Sequence, residues 1–377
     1  MNKLIKAYVS RSAIRHNVKL IMNKTDETPI CAAVKANAYG HGAAIISSIL
    51  SELDISFWAV AALPEAIELC DLKLTEPILI FRPVGDYGSM QEIQEQIDLM
   101  LEFALRATVV NEEGLDLLAR IAAVNRKPAY VHIKVDTGMG RSGCPQKKAC
   151  DLVLKASRIP EITVEGIYSH FAVTDKDHLD FAHEQLSVFL SILKEIESRG
   201  IHIPIKHMAS SGAIFNIPGS WLDMIRPGMS LYGYGCQLTK DSKQLVPVLR
   251  VEAPVLMTKK ISKGSSCGYG CTFVAKRDMR IGLLPIGYAD GYSRKLSNAG
   301  QVDFSGKLAP VIGRISMDLT IIDLTDIPEA GVGSQACIIS NRREDPHSVQ
   351  SMAMQLDTIP HEITCLLGSR IQRVMVD

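Results

Sequence analysis

Between residues 30 and 232 the chain repeats one texture: a short apolar run, then a longer amphipathic segment, then another apolar run. The runs are "PICAAV", "FWAVAA", "PILIF", "ATVVN", "YVHIKVD", "ITVEGIYSHF", "IPIKHM" and "LDMIRPG". Segments such as "AAIISSILSEL", "EEGLDLLARIAAV" and "DFAHEQLSVFLSILKEIESRG" lie between them with helical periodicity. Eight such units predict a (β/α)8 barrel, with a doubly wound open sheet as the competing architecture.

The texture changes near residue 235. Runs such as "PVLRVEAPVLMTKKI", "MRIGLLPIGYADGY" and "APVIGRISMDLTIIDL" are separated by glycine-rich turns and contain few helical stretches. The expected organisation is a barrel over 13–235 and a mainly β domain over 236–377. Lys and Arg together number 41, as do Asp and Glu, so the chain has no net charge to favour nucleic acid or an anionic membrane surface. No leader and no 18-residue apolar span is read from the sequence, so a cytoplasmic location is expected. The nine cysteines include no CxxC pair, and Cys267 and Cys271 stand four apart. Free thiols in a reducing compartment are expected, and no metal site.

In a barrel the chemistry gathers at the C-terminal ends of the strands. Lys35 ends the first run, Arg141 follows "HIKVDTGMG", His170 ends "VEGIYSH", Ser210 and Ser211 follow "IKHMA", and Arg226 ends "LDMIR". A lysine desolvated beside other cations becomes a nucleophile for carbonyls. The hydroxyls of "SSGAIF" and the backbone around Gly228 form a cradle for an anion such as phosphate. Those two features suit pyridoxal phosphate held as a Schiff base, and equally a Schiff-base aldolase acting on a phosphosugar.

Seven stretches occur in one order: "AVKANAYGHG", "KVDTGMGRSG", "IYSHF", "MIRPGMSLYG", "SCGYG", "PIGYADGY" and "GRISMD". With them the sequence resembles the alanine racemases, fold-type III pyridoxal-phosphate enzymes, over nearly its whole length. The resemblance implies a barrel with a β-rich C-terminal domain and a first strand, within residues 1–12, that packs with that domain. It also implies a homodimer with shared active sites, an amino acid as substrate and D-alanine supply for peptidoglycan as the common role.

Carried over residue by residue, the resemblance makes Lys35 the cofactor lysine and one catalytic base. Tyr269 becomes the second base, acting in the partner's site. Tyr39, one helical turn beyond Lys35, would hold the phosphate with Ser211, Gly228 and Met229. Arg226 would meet the pyridine nitrogen, His170 the ring and Arg141 the ring oxygen. Arg141 and Met317 would receive the substrate carboxylate. Lys134 matches a position that is carbamylated in many members, where it orients the arginine represented by Arg141. Tyr288, Arg294, Arg314 and Asp318 would line the entrance. His41 and Asp290 receive no role.

Two departures stand out. Ser210 replaces an asparagine common in the family, a minor change. His361 occupies the place of a tyrosine that reaches the cofactor phosphate and borders the substrate. A shorter, non-phenolic side chain there predicts tolerance of a larger substrate such as serine. A serine or broader racemase is therefore the alternative reading, ahead of a decarboxylase of the same fold, which Arg226 disfavours.

Overall fold

The structure, a computed structural model, describes residues 4–85, 88–174, 179–235 and 239–377. Two compact units divide it. One comprises Arg15–Ala38 and Ile46–Leu245; the other comprises the N-terminal residues to Ile14, Tyr39–Ile45 and Val246–Asp377.

The first unit is a (β/α)8 barrel. Strands Cys31–Ala33, Phe57–Val60, Ile78–Pro83, Arg106–Val109, Ala129–Asp136, Ile162–Tyr168 and Ile205–His207 pair in that order, each parallel to the next. The eighth run closes the ring through bridges rather than a full ladder. Ile225 bridges Ile30, and Arg226 bridges Ser210. The amides of Cys31 and Ala33 donate to the carbonyls of Ile225 and Pro227 at 2.8 and 3.0 Å. All eight apolar runs thus become barrel staves, and the open-sheet alternative is excluded by closure.

The strands are largely buried, Cys31–Ala33 and Phe57–Val60 at every position. The helices carry one apolar stripe. In Glu112–Asn125 the residues Leu115, Leu118, Ile121 and Ala122 are buried, and the Asn111 side chain caps the start by accepting from the Gly114 amide. Gly166 is a glycine for a steric reason: a Cβ there would lie 2.4 Å from the ring of His132 on the neighbouring strand. That missing methyl lets an imidazole occupy the barrel interior.

The second unit is mainly β. A six-stranded sheet places Lys6–Ser10 between Leu249–Pro254, antiparallel, and Gln372–Val376, parallel. A three-stranded sheet joins Met257–Ile261, Met279–Leu284 and Thr320–Asp323. The hairpin of Ser266–Cys267 and Phe273–Val274 carries the loop with Tyr269. Helices Val349–Leu356 and Pro360–Cys365 complete the unit. Among the described residues no helix is long and apolar enough to cross a membrane.

Candidate active site

Directly after the first barrel strand, Ala36, Asn37, Ala38 and Tyr39 all have φ between 52 and 53°. The turn beyond Lys35 is therefore left-handed, not the ordinary helical turn that the spacing to Tyr39 suggests. Four consecutive non-glycine residues in this region cost about 1–2 kcal/mol each, because Cβ crowds the following carbonyl. Local contacts offset the cost. On the barrel side the Ala36 amide donates to Glu65 Oε1 at 2.7 Å. In the second unit, Arg373 donates twice to the Gly40 carbonyl, at 3.0 and 2.8 Å. Gly40 itself has φ 82°, and a Cβ on it would fall 1.9 Å from the Thr364 carbonyl oxygen. His41 is buried, with Nδ1 3.0 Å from the Tyr39 carbonyl, which fits a structural reading of that residue.

The barrel residues singled out by sequence form a concentration of positive charge. Lys35 Nζ lies 5.7 Å from the centre of the Phe81 ring. The Arg226 guanidinium is buried 5.2 Å from the Tyr168 ring centre, and Lys134 Nζ lies 5.8 Å from the same ring. Lys134 also donates to Ser142 Oγ at 2.6 Å. Burial, then the positive fields of Arg141, Arg226 and Lys35, lower its ammonium pKa to about 8, although Asp136 opposes the shift. His170 is held well below the ordinary imidazole value by burial, followed by Arg226, Arg141, Lys134 and Lys35. The nearby Asp136 carboxylate is engaged by the amides of Gly138 and Gly140 at 2.9 and 3.2 Å.

Arg226 is the inner end of a hydrogen-bonded chain that sequence reasoning missed. Its Nη2 donates to the carbonyls of Ser169 (2.7 Å) and Met208 (3.0 Å) and approaches His170 Nδ1 at 3.4 Å. Its Nη1 lies 2.9 Å from His207 Nδ1. His207 Nε2 is 2.8 Å from His132 Nδ1, and His132 Nε2 is 3.2 Å from Glu165 Oε2. Guanidinium can only donate, so every proton in the chain is ordered: His207 accepts at Nδ1 and donates from Nε2, and His132 does the same. Burial lowers the pKa of both histidines, so both are neutral, as this ordering requires. At the outer end Arg106 donates to both Glu165 oxygens, at 2.9 and 3.0 Å. Tyr168 stacks on His207 with ring centres 4.8 Å apart, and its hydroxyl lies 2.9 Å from Thr108 Oγ1.

The last barrel staves bring several hydrogen-bond donors together. Ser211 Oγ gathers the amides of Gly228 and Ser230, at 2.9 and 3.2 Å, and the Ser230 hydroxyl at 3.1 Å. Met229 is buried between those two residues. Ser230 was not anticipated, although its place in "RPGMS" was the available signal. Ser210 caps the helix Ser211–Asn216 without a side-chain hydrogen bond, consistent with its substitution being minor.

The remaining candidates lie in the second unit. The rings of Tyr39 and His361 stand 5.9 Å apart and tilted. Tyr269 is 70% exposed, and the Arg314 guanidinium packs over the adjacent Gly270, where a Cβ would approach to 3.3 Å. Tyr288 and Met317 are also exposed, and the amides of Tyr288 and Ala289 donate to the carbonyls of Ser316 and Met317. Arg370 joins Asp318 at 2.6 Å to buried Asp290 at 2.8 Å, which gives Asp290 a structural role. Arg294 stands exposed on a short 3-10 turn.

Comparison with known proteins covers both units. Residues 9–235 match the family model described as the alanine racemase N-terminal domain, and residues 248–375 match that of the C-terminal domain. Alanine racemase from Methanococcus maripaludis is 38% identical over 98% of this chain and 97% of its own length. Alanine racemase 2 from Caldanaerobacter subterraneus is 36% identical over 98% and 94%. Among solved structures, alanine racemase from Bartonella henselae with covalently bound pyridoxal phosphate is 29% identical, with full coverage of both chains and a TM-score of 0.84. Alanine racemase from Clostridium difficile is 28% identical over 99% and 95%, with a TM-score of 0.92.

Proposed function

The chain belongs to the alanine racemase family of pyridoxal-phosphate-dependent isomerases, and on that premise we propose that Lys35 and the partner subunit's Tyr269 move the α-proton of alanine. Racemisation requires a proton to leave one face of a planar carbon and return to the other, which takes one proton-handling group per face. The observation that carries the proposal is Lys35 among Lys134, Arg141, His170 and Arg226, a set that raises positive potential where an anionic ligand would sit.

The donor set fits the cofactor. Three donors converge at Ser211 Oγ, a hydroxyl that can turn toward a phosphate together with the Gly228 and Ser230 amides. With Tyr39 and Met229 these groups would hold the phosphate; Arg226 would hold the pyridine nitrogen, His170 the ring and Arg141 the ring oxygen. When bound, pyridoxal phosphate supplies the electron sink that acidifies the substrate's α-proton. Arg226 would temper that sink, because a guanidinium that donates to a nitrogen leaves no proton on it. The ordered chain back to Glu165 keeps the Arg226 fork in one orientation.

Arg141 and Met317 would receive the substrate carboxylate. A Lys134 amine with its pKa near 8 is neutral often enough to take up carbon dioxide, and the resulting carbamate would orient Arg141. Tyr288, Arg294, Arg314 and Asp318 would line the entrance. Tyr269 is exposed in the protomer, which suits a residue that works in a partner's site and makes the active form a homodimer. His361 beside Tyr39 favours acceptance of serine as well as alanine.

Chiral chromatography of Lys35→Ala and Tyr269→Phe tests the pair. Each substitution is expected to lower L-to-D exchange by about 100-fold or more, since each removes one face's proton carrier. Full activity of Tyr269→Phe in both directions would exclude the phenol as second base.

A further inference from the structure

The left-handed turn after Lys35 is met by one carboxylate, and both of its oxygens are used. Glu65 is the third residue of the helix Leu63–Asp71, on the stave next to that of Lys35. Its Oε2 accepts from the amides of Ala61 and Ala62, at 2.7 and 3.1 Å, where the neighbouring strand gives way to the helix. Its Oε1 accepts from the Ala36 amide at 2.7 Å. Ala36 is the residue next to Lys35 and the first with a left-handed backbone, at φ 52°.

We propose that Glu65 is a positioning residue for Lys35: its carboxylate ties the amide next to the lysine to the end of the adjacent barrel strand and so fixes where the ε-amino group is presented. The proposal rests on the reading of Lys35 as the cofactor lysine. The physical reasoning is local. A lysine side chain has four rotatable bonds, so its reach is reproducible only if the backbone that launches it is fixed. Here that backbone is in a conformation that the alanines on either side of Asn37 disfavour, so it persists only where the surroundings determine it. Glu65 is itself immobilised by two amides of its own helix start, which leaves its other oxygen as a fixed anchor rather than a mobile surface charge. A glutamine cannot replace it, because its single oxygen can face only one of the two sites and its NH2 must face the other donor.

The test compares wild type with Glu65→Gln as apo-protein and after addition of pyridoxal phosphate. Three quantities are read: hydrogen exchange at the Ala36 amide, the rate at which borohydride fixes the cofactor to Lys35, by peptide mass spectrometry, and the melting temperature of the apo-protein. The expected result is exchange at Ala36 about tenfold faster and capture at Lys35 about tenfold slower, with little change in melting temperature. Unchanged exchange and capture would overturn the proposal. So would a loss of capture that only follows a general loss of stability. If Glu65→Gln does not fold, Glu65→Asp retains the charge, retracts the carboxylate by one methylene and is expected to give the same pair of changes. Failure of the wild type to fix cofactor at Lys35 would instead overturn the reading of the lysine itself.

Discussion

Replacing Glu165 by glutamine removes the negative charge and one of the two acceptor oxygens at the outer end of the buried chain. The carboxylate receives Arg106 through both oxygens and His132 through one. Burial alone would raise its pKa, but hydrogen bonds from His132 and Arg106 and the charge of Arg106 outweigh it and hold the group at about 2, against an ordinary 4.5. That difference corresponds to about 3 kcal/mol of stability. The Glu165 side chain retains 18% exposure, so screening by solvent leaves about 2 kcal/mol. The folded pKa is the lower one, so the unfolded chain binds more protons between about 4.5 and 2. The stabilisation is complete above that window and is lost as pH falls through it. Urea unfolding of both proteins at pH 7 and over an acid series reads the difference directly. A gap of about 2 kcal/mol at pH 7 that closes towards pH 2 is expected. A gap that did not change with pH would refute the assignment of this energy to the carboxylate.

Three further outcomes follow from the same geometry. Gly40→Ala, whose methyl would strike the Thr364 carbonyl in a left-handed backbone, is expected to destabilise the second unit by about 3 kcal/mol or more, read by thermal denaturation. Because the Lys134 pKa lies near 8, mass spectrometry under native conditions should find Lys134 carrying one added carboxyl group at pH 8.5 with bicarbonate and bare at pH 6, where the amine is protonated. His361→Tyr is expected to lower L-serine turnover relative to L-alanine by about tenfold, and an unchanged ratio would sink the role given to His361 in substrate breadth.

The barrel was legible because its staves are largely buried, which writes them into the sequence as short, mostly apolar runs. The clustering of Lys35, Arg141, His170 and Arg226 could be read because barrel topology brings strand ends together. The left-handed turn could not: Ala36, Asn37 and Ala38 carry no glycine, and their conformation depends on contacts such as that of Glu65, 29 positions away. The chain of His132, His207 and Glu165 was missed, although its members stand as polar residues within apolar runs. Its order depends on Gly166 yielding space to an imidazole, a relation between strands that local pattern does not express. Residues 39–45 fall with the second unit although they are flanked on both sides by barrel sequence, and nothing in their composition separates them.

The placement of Lys6–Ser10 between two late strands has a consequence for how the molecule is made. This strand is synthesised well before its neighbours, Leu249–Pro254 and Gln372–Val376. A growing chain can close the barrel while that strand still has both edges open, and the sheet is sealed only when the last strand arrives. Its assembly is therefore the slow, long-range step, and an edge stays unpaired until Gln372–Val376 has been made. Lys6 within the strand places charge where a bare edge would otherwise recruit other chains.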